Sequence, residues 1–262
     1  LTDVEDWRPL LHFTQGNPLT ITVLVGQALR EGRRKKADIE AFVARLRAGE
    51  ATFDDEASEG RSKSLGAALG YGFASAFNED ERKQLALLHF FQGFVDVKAL
   101  LLMGHAEADW CLPEVRGLTR EAGIALLDRA AEIGLLISHS DGYYSIHPAL
   151  PWYFKSLFQQ YYGGQVASDE QPASELHPSS FFLHPSPTRS FVEALGELGN
   201  HYWWQYEGGN RDVIAALAAE EANLLHARSL ARANGCWGRV ISTIQGLRQL
   251  YGHIGRRAEW AR

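Results

Sequence analysis

Residues 135–146, with the sequence LLISHSDGYYSI, decide how the middle of this chain folds. An Asp-Gly pair between two short runs of apolar and aromatic residues is the strongest local signal for a β-hairpin, because both central residues of such a turn need a positive φ. A helical pattern over residues 119–133 precedes the hairpin and ends at Gly134. The sequence therefore predicts a helix that leads directly into a two-stranded hairpin.

Two more helices are predicted upstream of this pair of elements. Asn78, followed three residues later by Glu81, has the spacing of a capping box for a helix that carries Leu85, Leu88 and Phe91. Asp96 has a side chain suited to cap a second helix, which carries Val97, Leu100 and Leu101. Three helices followed at once by a hairpin is the order of a winged-helix domain, which we predict over residues 64–162.

The N-terminal region, residues 1–50, is a predicted helical segment of its own. A short helix is expected around residues 6–13, and a second helix over residues 18–30. Asp38 is the predicted N-cap of a third helix, whose apolar face carries Ile39, Phe42, Val43 and Leu46. Residues 50–63 are polar and acidic, so we predict a loop and a domain boundary there.

The C-terminal region begins with a linker at residues 163–187, which are rich in Gly, Ser, Pro and Glu. Helical patterns follow over residues 188–207, 211–234 and 236–252, and Gly or Asn-Gly closes each of them. Consecutive helices joined by short turns stack as an α-solenoid, predicted for residues 188–262. The predicted fold class is mainly α: an N-terminal helical region, a winged-helix domain with one β-hairpin, and α-solenoid repeats.

The charge balance argues against a general affinity for nucleic acids or anionic membranes. The chain has 262 residues, with 26 Lys and Arg against 32 Asp and Glu, and a formal net charge of -6. Proteins and small molecules are the expected partners.

Cysteine content and hydropathy indicate a cytoplasmic protein. Cys111 and Cys236 are far apart and neither has a second cysteine nearby, which fits a reducing compartment without a disulfide framework or a zinc ribbon. No segment approaches the roughly 18 uncharged apolar residues of a membrane span, and residues 1–6 have no signal-peptide character. The absence of an initiating Met predicts that the chain is part of a longer protein.

No constellation of residues predicts a catalytic or metal site. The chain contains no Gly-x-x-x-x-Gly-Lys-Ser/Thr phosphate-binding loop and no nucleophile elbow. His105, Asp109 and Cys111 match no common zinc spacing. The charges of the helix at residues 119–133 are nearly balanced, which does not favour its entry into a DNA major groove. The aromatic helix at residues 152–162 is predicted to lie in the core or at a contact between domains.

Three stretches together resemble the STAND family of signal-transduction ATPases, which includes the NB-ARC receptors. The first is TQGNPL at residues 14–19, which resembles the Gly-x-Pro motif at the start of a helix in the lid that follows the ATPase core. The resemblance implies that Pro18 packs on the adenine base and that Gly16 and Asn17 shape the turn. By composition alone, the same residues form a turn that begins a helix.

The second stretch is YSIHP at residues 144–148, on the last predicted strand. It resembles the winged-helix histidine of the family, which implies that His147 reaches the terminal phosphate of bound ADP and holds the resting state. An imidazole suits this role because it donates a hydrogen bond and titrates near neutral pH. This stretch departs from the NB-ARC pattern, since Ile146 and Pro148 stand where that pattern has Met and Asp. The alternative is a histidine whose hydrogen bonds are satisfied at a strand end.

The third stretch is EEANLLHA at residues 220–227, followed by NGCW at 234–237 and LYGHIGR at 250–256. Together these segments resemble the opening repeats of the tetratricopeptide-like sensors in bacterial STAND proteins. The resemblance implies that residues 188–262 are sensor repeats and that residues 1–50 are the end of the ATPase lid.

What the resemblance implies is a nucleotide-dependent switch. The chain would link an ADP-locked or ATP-active state to ligand sensing by the repeats and to self-assembly. ATP or ADP with Mg is expected in the complete protein; this chain alone is expected to bind none and to catalyse no reaction, since the phosphate-binding loop is missing. The expected partners are other domains of the protein, a ligand or protein on the repeats, and further copies on activation. Two alternatives stay open: a winged-helix transcription regulator that binds DNA, and a repeat scaffold that binds another protein.

Overall fold

The computed structural model describes residues 4–14, 21, 24–26, 28–29, 31–48, 73, 76–147, 150–166 and 185–256. This part of the chain is mainly helical, as predicted, with a small three-stranded antiparallel sheet. The chain divides into two compact units. Unit 1 comprises Leu1–Arg82 and Leu126–Ile137, and unit 2 comprises Lys83–Ala125 and Ser138–Arg262. Within the described ranges, no helix is long and apolar enough to cross a membrane.

Unit 1 contains helices α1 (Val4–Phe13) and α2 (Lys36–Ala48). The Asp6 carboxylate accepts a hydrogen bond from the backbone N–H of Lys36 over 3.2 Å, which ties the start of α2 to α1. Helix α2 therefore begins two residues before the predicted cap Asp38, which lies in its first turn. The predicted loop at residues 50–63 lies outside the described residues. The core of this region is built from Leu10, Phe13, Leu24, Ala28, Ile39, Phe42 and Val43.

Helix α3 (Glu79–Ala86) begins with the predicted capping box. The Asn78 side chain accepts a hydrogen bond from the N–H of Glu81 over 2.9 Å, and the Glu81 carboxylate accepts one from the N–H of Asn78 over 3.0 Å. Both otherwise unpaired backbone donors are thus satisfied. A 3₁₀ turn, Leu87–Phe90, continues the helix.

Strand β1 (Phe94–Asp96) and helix α4 (Val97–Met103) come next. Asp96 caps α4 as predicted, and its carboxylate accepts a hydrogen bond from the N–H of Lys98 over 2.9 Å. The strand itself is a feature that the sequence analysis did not predict. Three residues are too few for the alternation of apolar and polar positions that identifies a strand.

The predicted hairpin follows helix α5 (Arg120–Glu132) and consists of strands β2 (Leu136–Ser140) and β3 (Tyr143–Ile146). Its turn places Asp141 at φ 50 and Gly142 at φ 84, the positive values that an Asp-Gly hairpin turn requires. Strand β3 is central in the sheet order β1-β3-β2 and pairs antiparallel with β1. The hairpin is thus confirmed, and it belongs to a three-stranded sheet.

Helix α6 (Pro151–Val166) carries the aromatic run. As predicted, most of these rings are core residues, namely Tyr153, Phe154, Phe158 and Tyr162. The Phe158 ring packs edge-on against Phe90 with the ring centroids 5.0 Å apart, and the Tyr162 hydroxyl donates a hydrogen bond to the Lys83 carbonyl over 3.2 Å. These contacts hold α6 against the 3₁₀ turn and the end of α3.

Three long helices complete unit 2: α7 (Pro187–Glu207), α8 (Val213–Ala233) and α9 (Trp237–Ile254). They agree with the predicted helices to within two residues at each end. The predicted linker, residues 163–187, is shorter, because α6 continues to Val166 and Pro187 already begins α7.

Helices α7 and α9 approach each other closely at two glycines. A Cβ atom built on Gly199 would lie 2.8 Å from the Ser242 carbonyl oxygen, and one on Gly246 would lie 3.1 Å from the Gly199 carbonyl oxygen. Glu193 pairs with Arg239 nearer the start of both helices, and Glu207 accepts from Gln249 nearer their ends. Helices α7 and α9 therefore run in the same direction. Helix α8, which connects them in the chain, runs in the opposite direction.

Candidate functional site

Of the four residues predicted to form the nucleotide site, the structure describes His147. Gly16, Asn17 and Pro18 lie outside the described residues. His147 follows strand β3 directly and is half-buried. Its carbonyl accepts a hydrogen bond from the N–H of Leu150 over 2.9 Å, which turns the chain into α6. The structure thus places His147 at the junction of strand and helix, and its contact with nucleotide stays a prediction.

A buried polar cluster lies elsewhere in unit 2, where β1 and α4 meet α7 and α8. We call it the polar junction and define it as Asp96, Tyr202, Glu220 and Asn223. These side chains are almost fully buried, with exposed fractions of 1% for Asp96, 3% for Tyr202, and 0% for both Glu220 and Asn223. Burial of this many polar groups is costly unless hydrogen bonds replace water, so their bonding pattern shows what the cluster does.

Asn223, on α8, connects that helix to the chain around β1. Its amide oxygen accepts a hydrogen bond from the N–H of Gln92 over 2.6 Å. Its amide nitrogen donates to the Phe94 carbonyl over 2.8 Å and to the Glu220 carboxyl over 2.7 Å. Two backbone groups that the short sheet leaves unpaired are thereby satisfied by a side chain more than a hundred residues away.

Asp96 has two roles in the junction. One carboxylate oxygen caps α4 through Lys98, and the other accepts a hydrogen bond from the Tyr202 hydroxyl of α7 over 3.3 Å. Burial raises the pKa of Asp96, while the bonds from Lys98 and Tyr202 act to lower it. Burial likewise raises the pKa of Tyr202, so its hydroxyl stays protonated and remains a donor.

Glu220 is the member of the polar junction whose carboxyl group has the fewest hydrogen bonds relative to its burial. One oxygen of its carboxyl accepts from Asn223, and the other is buried without a hydrogen-bond partner within the described residues. Burial, with a smaller contribution from the nearby Asp96 carboxylate, raises the pKa of Glu220 to about 8. The carboxyl is therefore mainly protonated at neutral pH, which spares the cluster a second buried negative charge.

A second set of contacts joins the first turn of α7 to the loop after α4. The Arg189 guanidinium is buried and pairs with the Asp109 carboxylate over 2.5 Å. The Ser190 hydroxyl donates to the Trp110 carbonyl. Phe191 stacks on Phe90 with the ring centroids 5.2 Å apart. Helix α7 is thus held by apolar and polar contacts to the elements that precede β2.

The two arginines of α5 both contact other residues of the chain. Arg120 donates to the Asp141 carbonyl over 2.7 Å, and Arg129 pairs with Glu81. Within the described ranges, no group of three or more His, Cys, Asp or Glu side chains is placed to hold a metal ion.

The sequence analysis named Glu220 and Asn223 as part of a repeat motif but did not identify the polar junction. The signal that was available is the spacing: two polar residues three positions apart lie on the same side of a helix. Their burial follows only when α8 packs on β1. No protein-family model, curated protein or solved structure matches the chain.

Proposed function

We propose that this chain is the coupling region of a STAND-class signalling ATPase, in which a winged-helix domain transmits the state of helical sensor repeats to a bound nucleotide. The observation that carries the proposal is the polar junction, because it joins the two kinds of element through buried hydrogen bonds. Such bonds are made or lost together, which suits an element with two states.

The winged-helix assignment is supported by the order of elements. Helix α3, strand β1, helices α4 and α5, and the β2–β3 hairpin follow one another in the arrangement expected of that domain. Strand β1 lies in the chain between α3 and α4, and it adds a further strand to the hairpin by pairing with β3.

The repeat assignment is supported by α7, α8 and α9. Loops of a few residues join them, and each packs on the other two. This is how consecutive helical repeats stack in a solenoid.

In the proposed switch, an ATPase core holds ADP together with Pro18 and His147. The resting state is stable as long as the winged-helix domain keeps His147 in contact with the ADP. A ligand or protein on the repeats shifts the position of α7 and α8. The polar junction passes that shift to β1 and, through its partner β3, to His147 at the end of that strand. ATP then replaces ADP and the protein self-assembles. Two sites and two global states are what such coupling requires.

The first test is ADP binding by calorimetry, with this chain and with the protein extended through its natural upstream sequence. We expect ADP to bind only to the extended protein, because the phosphate-binding loop is absent from this chain. If neither protein binds ADP, the nucleotide switch is excluded.

A second test addresses His147 in the extended protein. His147→Ala should weaken ADP binding and raise basal activity, because the resting state loses a donor to the phosphate. His139→Ala is the matched control, since His139 is exposed on β2 and bonds to Ser145 within the hairpin. Equal ADP affinity in the wild type and in both variants would rule out the proposed role of His147.

A protein-binding repeat scaffold is the second candidate function. Trp237 and Ile241 lie one turn apart on α9 and are 61% and 58% exposed. Large exposed apolar side chains on one helix face are typical of contact surfaces. Absence of ADP binding by the extended protein, with the fold intact, would favour this candidate.

A further inference from the structure

A cavity of about 280 Å³ opens beside the start of helix α6. Its apolar lining comes from three separate elements: the 3₁₀ turn and the residue after it, the end of β3, and the first turn of α6. The buried members of this lining are Leu88, Phe91, Ile146 and Phe154. Because they come from packed elements of one unit, the cavity is formed before any ligand arrives.

The rim of the cavity carries an aromatic ring and a cation. Trp152 is 39% exposed, so much of its indole is open to solvent. Lys155 follows three residues later, on the same side of α6, and is also exposed. Lys155 forms no salt bridge with any of the residues that the structure describes.

A hydrogen-bond acceptor completes the rim. The Gln92 side-chain nitrogen donates to the Phe90 carbonyl over 3.2 Å, which leaves the side-chain oxygen of Gln92 to accept from a ligand. The described lining residues include the cation Lys155, the titratable residue His89 and no Asp or Glu, so the lining carries no negative charge.

We propose that this cavity binds a small aromatic carboxylate. The flat ring packs on Trp152 and the apolar lining, and the carboxylate pairs with the Lys155 ammonium. The cavity volume lies just below the range of about 300–1,000 Å³ found for drug-sized ligands, which fits a ligand of one or two rings. A cationic ligand would meet Lys155 without a compensating acid.

The cavity also touches the polar junction. Gln92 lines the cavity, and its backbone N–H donates to Asn223 over 2.6 Å. A ligand bound there lies next to Gln92, one of the two residues through which Asn223 of α8 bonds to the backbone around β1. The binding site is independent of the nucleotide proposal, because it uses neither Pro18 nor His147.

The test is calorimetry with indole-3-acetate as the probe on this chain, alongside its uncharged analogue indole-3-acetamide. We expect saturable binding of the acid, with affinity lowered roughly tenfold by Trp152→Ala through loss of ring stacking. Lys155→Met should lower the affinity roughly two- to fivefold, the usual worth of an exposed ion pair. The amide should bind to the wild type as weakly as the acid binds to Lys155→Met.

Two control variants separate this site from general affinity for indoles. Trp204→Ala removes an indole that is 66% exposed on α7, and Lys98→Met removes an exposed ammonium on α4. Both should bind indole-3-acetate like the wild type, and circular dichroism should show all variants folded. No saturable binding, equal binding of acid and amide, or equal losses in Trp204→Ala and Trp152→Ala would each overturn the proposal.

Discussion

The Asn223 amide on α8 donates a hydrogen bond to the Phe94 carbonyl of β1 over 2.8 Å, and the same amide accepts one from the N–H of Gln92. A side chain of the long-helix region therefore completes the backbone hydrogen bonds of a strand in the sheet. The long helices and the sheet of unit 2 are consequently coupled, and removal of this amide should destabilise both.

Asn223→Ala should lower the free energy of unfolding by about 2–4 kcal/mol, because the Gln92 N–H, the Phe94 carbonyl and the Glu220 carboxyl lose their shared partner at once and a fully buried side chain is removed. Urea denaturation followed by circular dichroism measures the change. Asn210→Ala is the control, since Asn210 is exposed in the loop before α8 and water can replace the bond that its side chain accepts from the Asp212 N–H, so it should change stability by no more than about 1 kcal/mol. Similar effects of the two substitutions would contradict the role assigned to Asn223.

Glu220 should make stability depend on pH. Its pKa is raised from 4.5 to about 8 in the folded protein, so between these values the folded state holds a proton that the unfolded state has lost. The stability due to this proton is fully present below pH 4.5 and is lost as pH rises to about 8. The slope through this window is at most about 1.4 kcal/mol per pH unit.

Glu220→Gln should flatten that slope, because an amide does not titrate. The difference between the wild-type and variant curves isolates Glu220, since Asp96, whose pKa is also raised, is present in both. Parallel curves for wild type and Glu220→Gln between pH 5 and 8 would show that Glu220 is ionised in the folded protein.

Tyr202→Phe should lower the free energy of unfolding by about 1 kcal/mol, since Asp96 loses a hydrogen-bond donor and the ring packing is kept. Tyr206→Phe, one turn further along α7, is the matched control. Its ring is half-buried and would keep the Arg211 guanidinium, which lies 3.9 Å from the ring centroid. Thermal unfolding of both variants provides the comparison, and an equal shift in Tm would argue against the Asp96 contact.

Gly199→Ala should separate α7 from α9 and cost about 1–3 kcal/mol, because the added Cβ atom meets the backbone of Ser242 and Thr243. Gly252→Ala, in the last turns of α9, has open space around its Cβ position. That substitution should raise stability by about 0.5–1 kcal/mol through helix propensity. Denaturation midpoints that shift in the same direction for both variants would contradict the close approach of the two helices.

Local sequence signals accounted for most helix ends and for the hairpin. Asn78 with Glu81, and Asp96 with Lys98, satisfy backbone donors within three residues, so the pattern that predicts these caps also forms them. The Asp141-Gly142 turn is equally local, since positive φ is a property of those two residues. The start of α2 was misplaced because the tie between Asp6 and Lys36 joins residues distant in sequence.

The sequence by itself determined which segments are helical, where they are capped and where the chain reverses, because these depend on interactions within a few residues. Tertiary structure alone decided that residues 94–96 form a strand, that Asn223 completes its hydrogen bonds, and that Glu220 keeps a proton near neutral pH. A three-residue strand is stable only with a partner to pair with, and a carboxyl group changes its pKa only when packing removes water from it.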